Sequence, residues 1–396
     1  MIVQKDFMNV DNKELMMMKL EFKNISELRS DVAEMLAKSV HEWAEKEVIP
    51  YRAWIDDEAE IADKALKKLF LDIGMQKLVV PEAKGGAGIS SDDLPAVLLR
   101  SFEEIGKADA GIGFVLSALV SASISSMETE VFDYLSDKLS NRLCKIAIFP
   151  PQFGKSDFKG FELAKTVPVG DKIKLKGFGR PLNSGYDADI FAVFCNYNGI
   201  SVAFVDAENV ERGEKIKSAG LVASKNCDVK INAEIDKSRI STGNAWKKLY
   251  TYLNLCLSAL CVGSAYDSCR ILREWSEKRI VRGKPLRDNT VDASVIANVI
   301  RDTLEAKAVA QMLAMLMLEN RDDEEVYAFS IVSALKCSES AFNSADRAME
   351  LMASQGYARE GLLEKQWRDA KSIRAILNPN HLLLELSANY FGSRLW

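Results

Sequence analysis

The chain changes its hydrophobic period twice, and those two changes constrain its fold more than any other feature of its 396 residues. Up to about residue 140, apolar side chains recur every three or four positions, the spacing of a helix face. Over 28–47 they are Val32, Met35, Leu36, Val40, Trp43 and Ala44. Ile49 and Pro50 end that stretch, because proline has no N–H for the helix ladder. Further helices are expected over 63–73, closed by Gly74, over 92–106, and on to Leu139. From Lys145 to Ile240 the texture becomes short alternating or β-branched runs, at 145–149, 172–176, 190–194, 200–205 and 227–231. Gly-Asp, Asn-Gly and Arg-Gly turns break them, a pattern that predicts antiparallel strands. After Ser241 the helical period returns, over 246–279, 292–320, 324–354 and two shorter segments, and the long helices are expected to pair as an antiparallel bundle. The expected division is an α+β chain: helical over 1–140, β over 141–240, helical again over 241–396.

Charge and composition exclude several function classes. A net charge of −5 disfavours nucleic acid or an anionic membrane surface as a partner. The seven cysteines, at 144, 195, 227, 256, 261, 269 and 337, form no Cys-x-x-Cys pair and stand mostly in apolar runs. They read as reduced thiols of a cytoplasmic protein. Residues 110–127 carry no charge and approach membrane-spanning length. They are rich in Ser, Gly and Ala between amphipathic flanks, so a buried central helix is expected instead of a span. The Met-rich segment 1–24 is charged and lacks a continuous apolar core, unlike a signal peptide. No Cys, His or carboxylate set has metal-ligand spacing, no Gly-x-Ser-x-Gly elbow occurs, and His41 and His381 read as structural.

Three short stretches are more specific. Pro81, Glu82, Gly85, Gly86 and Gly88 form a glycine-rich turn, without the Lys-Ser/Thr pair or βαβ repeat of a phosphate loop. A long helix is expected to end near Ser354, with Gly356 taking the left-handed cap conformation ahead of Tyr357. A short helix over 367–375, stopped by Pro379, carries Arg368-Asp369-Ala370-Lys371.

Together these stretches resemble the acyl-CoA dehydrogenase family. That family has a Pro-Glu-x-x-Gly-Gly-x-Gly turn, a Gly-Tyr after a long helix, and an Arg-Asp-Ala-Lys helix. The resemblance runs from about residue 28 to the C-terminus. It implies an N-terminal helical domain, a middle antiparallel β domain and a C-terminal four-helix bundle. It also implies an oxidoreductase of fatty acid metabolism with FAD held across a subunit interface.

The family's chemistry is where this chain departs from the pattern. Counted from Arg368, the catalytic glutamate falls on Leu377, and no Asp or Glu lies between Asp369 and Glu385. The family's alternative base position falls on Leu253, with Asn254 in place of an arginine. Tyr250, Tyr252 and Asp267 are the polar groups nearby. In the flavin loop Phe149-Pro150 replaces Thr-Glu, while Gly154, Ser156 and Asp157 persist. The family's Trp-Ile-Thr strand becomes Pro181-Leu182-Asn183. Of the neighbour-subunit contacts to the FAD pyrophosphate, one survives in part, with Arg279 and Gly283 kept, Arg282 in place of the family's Phe, and Lys284 beside them. The other reads Glu350, Ala353 and Ser354 where Gln and two glycines are expected.

The resemblance therefore implies Ser156, Asn183, Arg279, Gly283 and Gly356 as FAD contacts, and no catalytic base. Three readings stay open. One is a catalytically deficient partner subunit of a hetero-oligomeric acyl-CoA dehydrogenase, beside a homologous subunit that carries the glutamate and binds the acyl-CoA. The others are a stand-alone flavoenzyme of altered chemistry and a cofactor-free structural relative.

Overall fold

Helix starts follow the capping rules. In the computed structural model, residues 30–127, 129–153, 161–319, 323–379, 382, 383, 385 and 386 are described. Helix α1 (Asp31–Trp43) is capped by Ser30, whose side chain accepts from the Ala33 N–H. It runs on into a π turn at Ala44–Val48, and α2 (Ala59–Lys67) does the same through Lys68–Asp72. The helix expected over 63–73 thus starts earlier, and Gly74 with φ 85° closes it. The glycine-rich turn forms as expected. Gly85 and Gly88 take positive φ, and a Cβ on Gly86 would lie 2.0 Å from the Val80 carbonyl oxygen.

Helices α3 (Leu94–Ala108), α4 (Ala110–Ser126) and α5 (Val131–Asn141) complete the first helical region. All seventeen residues of α4 are buried, as its charge-free run leads one to expect. Its serines are tolerated there because Ser117, Ser121, Ser123, Ser125 and Ser126 donate to carbonyls of their own helix, three or four residues back.

Ten strands then build two four-stranded sheets, one ordered β1-β6-β7-β10 and the other β4-β5-β9-β8, with a small β2–β3 ladder beside them. Their ranges are β1 (Ile146–Phe149), β2 (Gln152–Phe153), β3 (Phe161–Glu162), β4 (Lys165–Val169) and β5 (Lys172–Gly179). After them come β6 (Ile190–Asn196), β7 (Ile200–Asp206), β8 (Val210–Arg212), β9 (Val229–Asp236) and β10 (Ile240–Ser241). Among the described residues every strand ladder is antiparallel but one: β1 pairs β6 in parallel, Ile146 opposite Ile190. Turn residues announce hairpins; a parallel pair joined through β2 to β5 has no such local signal.

Strand alternation sorts the two cores. On β6, Phe191, Val193 and Cys195 face the core between the sheets, whereas Ile190, Ala192 and Phe194 face the helices.

Helices α6 (Ala245–Lys278), α7 (Thr290–Leu318) and α8 (Asp323–Met352) form the C-terminal bundle with α10 (Leu363–Leu377). Between α6 and α7 lies a hairpin of β11 (Ile280–Val281) and β12 (Lys284–Pro285). Helix α6 is long and apolar enough to cross a membrane, but 83% of its apolar window is buried inside the protein, as in a core helix. It approaches α3 through glycine on each side: a Cβ on Gly263 would lie 2.0 Å from the Glu103 oxygen, and one on Gly106 2.2 Å from the Leu260 oxygen.

The end of α8 differs from expectation. The backbone turns at Ala353 (φ 52°), and Gly356 sits within the short α9 (Ser354–Tyr357) without a positive φ. Its missing side chain serves packing, since a Cβ would come within 2.8 Å of the Met349 oxygen.

One buried cation ties these regions together. Lys365 on α10 lies within 3.0 Å of Asp56, 3.1 Å of Asp109 and 3.0 Å of Asp369. Asp109 also caps α4, accepting from the Ile112 N–H at 2.9 Å. Asp369 accepts from the Leu221 N–H at 2.7 Å, at the edge of the β region. Burial pushes the Asp369 carboxyl up to about 6 against the pull of Lys365, with Asp109 and Asp56 adding to the rise. Replacing Lys365 by Met leaves three buried carboxylates without their shared cation, and should cost roughly 3–5 kcal/mol at pH 7. Carboxylates that lose their cation bind protons more tightly folded than unfolded, so the variant should regain stability as pH falls from 7 to 5. Urea denaturation of both proteins at the two pH values measures it; equal stabilities at pH 7 would refute the tie.

Candidate functional site

Where α6, α8 and α10 meet β6, the packing leaves a cavity of about 440 Å³. Its walls are mainly apolar, with Leu182, Phe194, Trp246, Leu253, Leu257 and Leu377 among them. Both positions to which the resemblance assigns a base therefore open on one cavity, and both hold leucine. Its polar atoms come from few side chains. Asn254 donates to Ser330 at 3.0 Å, and Tyr250 packs on the Phe194 ring with centroids 5.0 Å apart. Glu385 lines the cavity as its one carboxylate among the described residues. The Tyr327 hydroxyl donates to it in a short hydrogen bond. Burial raises the Glu385 carboxyl above its ordinary value of 4.5, against the opposing effects of Tyr327 and Lys247. Burial also raises the hydroxyls of Tyr250 and Tyr327, with Glu385 adding to both.

The other polar candidates lie elsewhere. Asp267 is buried against Arg52 at 2.5 Å and Arg270 at 2.9 Å. Burial works to raise it, but the two guanidiniums outweigh that and hold it below the usual carboxylate range. Tyr252 is partly buried and does not line the cavity. His41 Nδ1 lies 3.0 Å from Glu104, and His381 is outside the described residues.

Arg279 caps the end of α6, and Arg282 and Gly283 form the two-residue turn of the β11–β12 hairpin, with φ of 52° and 78°. Arg279, Arg282 and Lys284 are exposed, and neither arginine has an ion-pair partner among the described residues. Glu350 and Ala353 are exposed at the end of α8, and Gly356 is buried beside them. Asn183 is buried: its side-chain oxygen accepts from the Ile148 N–H at 3.1 Å, and its amide donates to the Ile146 carbonyl at 2.9 Å. Ser156, with Gly154 and Asp157, lies outside the described residues.

The fold agrees with what comparison finds. Residues 30–130 match the acyl-CoA dehydrogenase N-terminal domain, and residues 250–382 match its C-terminal domain. The chain belongs to the acyl-CoA dehydrogenase family. An acyl-CoA dehydrogenase of Bacillus subtilis is 23% identical over 377 residues, covering 90% of this chain and 97% of its own length. The probable acyl-CoA dehydrogenase FadE10 of Mycobacterium tuberculosis is 24% identical over 326 residues, 76% of this chain. The chain spans about half the length of that relative, 49%. The fold of the butyryl-CoA dehydrogenase of Megasphaera elsdenii superposes with a TM-score of 0.79 at 18% identity, over 92% of this chain and 98% of that one.

FAD is the family's cofactor, and the residues present fit it unevenly. Of the residues that the resemblance places at the ring end, Pro150 has no N–H to offer, Phe149 is a buried hydrocarbon, and the Asn183 amide is spent on β1. These residues do not fit an isoalloxazine. At the other end, two arginines without ion-pair partners beside the Gly283 turn suit a phosphate.

The residues of the retained family motif turn inward. Arg368 reaches Glu364 at 2.5 Å and Asp56 at 2.8 Å, and donates to the Ala219 carbonyl at 2.5 Å. Asp369 is part of the Lys365 cluster. Sequence reasoning passed over Glu385 because it lies beyond Pro379, outside the register counted from Arg368. The available signal was a lone carboxylate in the run Leu382-Leu383-Leu384-Glu385-Leu386. Asn183→Ala should orphan one donor and one acceptor of β1, each costing about 1–3 kcal/mol. Loss of roughly 2–6 kcal/mol in urea unfolding is the expected result; an unchanged midpoint would mean that β1 does not depend on Asn183.

Proposed function

We propose that the protein is an acyl-CoA dehydrogenase-like subunit that works beside a homologous partner and is deficient in the family's own route of α-proton abstraction. The observation that carries this reading is that Leu253 and Leu377 stand at the wall of one apolar cavity. A positioned general base contributes ~10²–10⁴-fold in rate, and leucine contributes none of it. The cavity's size and lining suit an acyl group. Its ring-end residues suit flavin poorly, whereas Arg279 and Arg282 suit the pyrophosphate of an FAD held mainly by another chain. Buried, unpaired thiols, with Cys144 and Cys337 raised to about 12 by desolvation, support a cytoplasmic setting. A second reading, a flavoenzyme of altered chemistry, is favoured by Glu385 inside the cavity.

Alone, the chain should leave added FAD unbleached by butyryl-CoA; bleaching of one flavin per chain would overturn the deficiency. Co-expressed with a homologue that retains the catalytic glutamate, it should give a yellow complex. In that complex Arg279→Ala should weaken FAD binding at least tenfold, about 1.4 kcal/mol, with assembly intact. Unchanged FAD affinity would make the hairpin cations solvated surface charge, worth ~0–1 kcal/mol, and would favour a cofactor-free relative.

A further inference from the structure

We infer that Glu385, held by Tyr327, is the group that accepts a proton from a ligand bound in the cavity between the β region and the C-terminal bundle. Three observations meet here. Among the described residues the cavity has one carboxylate, and it is not at either leucine position. That carboxylate is anchored by the Tyr327 hydroxyl from α8, so its orientation is set by a buried side chain. Its surroundings are largely apolar, which makes a carboxylate a stronger base than it is in water.

Among the described residues, titratable groups face it from two helices. Tyr327 and Glu324 lie on α8; Tyr250 and Lys247 lie on α6. Lys247, which lowers the Glu385 pKa through its charge, is bound to Glu324.

The inference rests on the reading of the cavity as an acyl site, and takes an acyl thioester as the ligand class. The proton on the carbon next to the thioester carbonyl moves to a Glu385 oxygen. The C–H electron pair becomes the C=C bond of the enolate, and the carbonyl oxygen takes the negative charge. Nothing is oxidised or reduced in this step, and it reverses by return of a proton from Glu385. In D₂O the return delivers deuterium. Tyr327 is a positioning residue in this scheme: its hydrogen bond stabilises the ionised carboxylate.

The full-length protein is mixed with phenylacetyl-CoA in D₂O, and deuterium at the α-carbon is followed by mass spectrometry alongside ligand affinity by calorimetry. Exchange should exceed that in buffer and rise with pH through a value above 4.5. Glu385→Gln should lower it about 100-fold or more, with the dissociation constant changed less than threefold. Tyr327→Phe removes the contact that lowers the Glu385 pKa, so its pH profile should shift upward, a change that a purely structural role would not give. Binding without exchange in the wild type, or more than a tenth of the exchange retained in Glu385→Gln, would overturn Glu385 as the acceptor and leave the acyl site standing. No binding of phenylacetyl-CoA by the wild type would overturn the acyl reading and this inference with it.

Discussion

Lys365 holds the two helical regions and the β region in register. Its ammonium faces Asp56 from the loop before α2, Asp109 at the start of α4, and Asp369 one turn along its own helix. Two of those carboxylates have second duties, capping α4 and receiving the Leu221 N–H. A buried ion cluster of this kind adds little net stability over a well-packed apolar core, but it penalises any arrangement that breaks it. Next to it, Arg52 joins Asp267 and the Ala108 carbonyl, while Gln366 bridges Asp267 and Ser264. This polar interior is therefore a structural joint, placed away from the cavity.

This separation gives the family motif a structural duty apart from the cavity. Arg368 and Asp369 are held in place by Glu364, Asp56, Lys365 and backbone groups of the same chain. Changing them disturbs the joint between regions, whereas Leu253 and Leu377 line the cavity wall. A side chain that meets only ligand carries no such structural obligation.

The layout was legible in the sequence because periodicity is local. The four long or central helices end within a few residues of where their patterns stop, and the strands alternate faces as their side chains do. What was illegible depends on distance along the chain. The parallel pairing of β1 with β6 joins segments some forty residues apart, and no turn announces it. The role of Gly356 was misjudged because glycine signals either a positive φ or a close approach, and the contact with Met349 is tertiary. Glu385 was passed over because counting along a helix stops having meaning once Pro379 redirects the backbone. The hydrogen bonds of Asn183 to β1 were equally illegible, since their partners lie more than thirty residues away.

The burial of α4 has a consequence in time. Every face of this helix is covered, and one of its main covers is α6, whose first residue lies more than a hundred positions downstream. At ordinary rates of synthesis, that interval is on the order of ten seconds. During it, a nearly span-length apolar helix has left the ribosome without its partner. Its serines then matter in a second way: with their hydroxyls free to meet water, they make the nascent segment more soluble than an all-aliphatic helix would be. The same hydroxyls turn back onto their own backbone once α6 arrives.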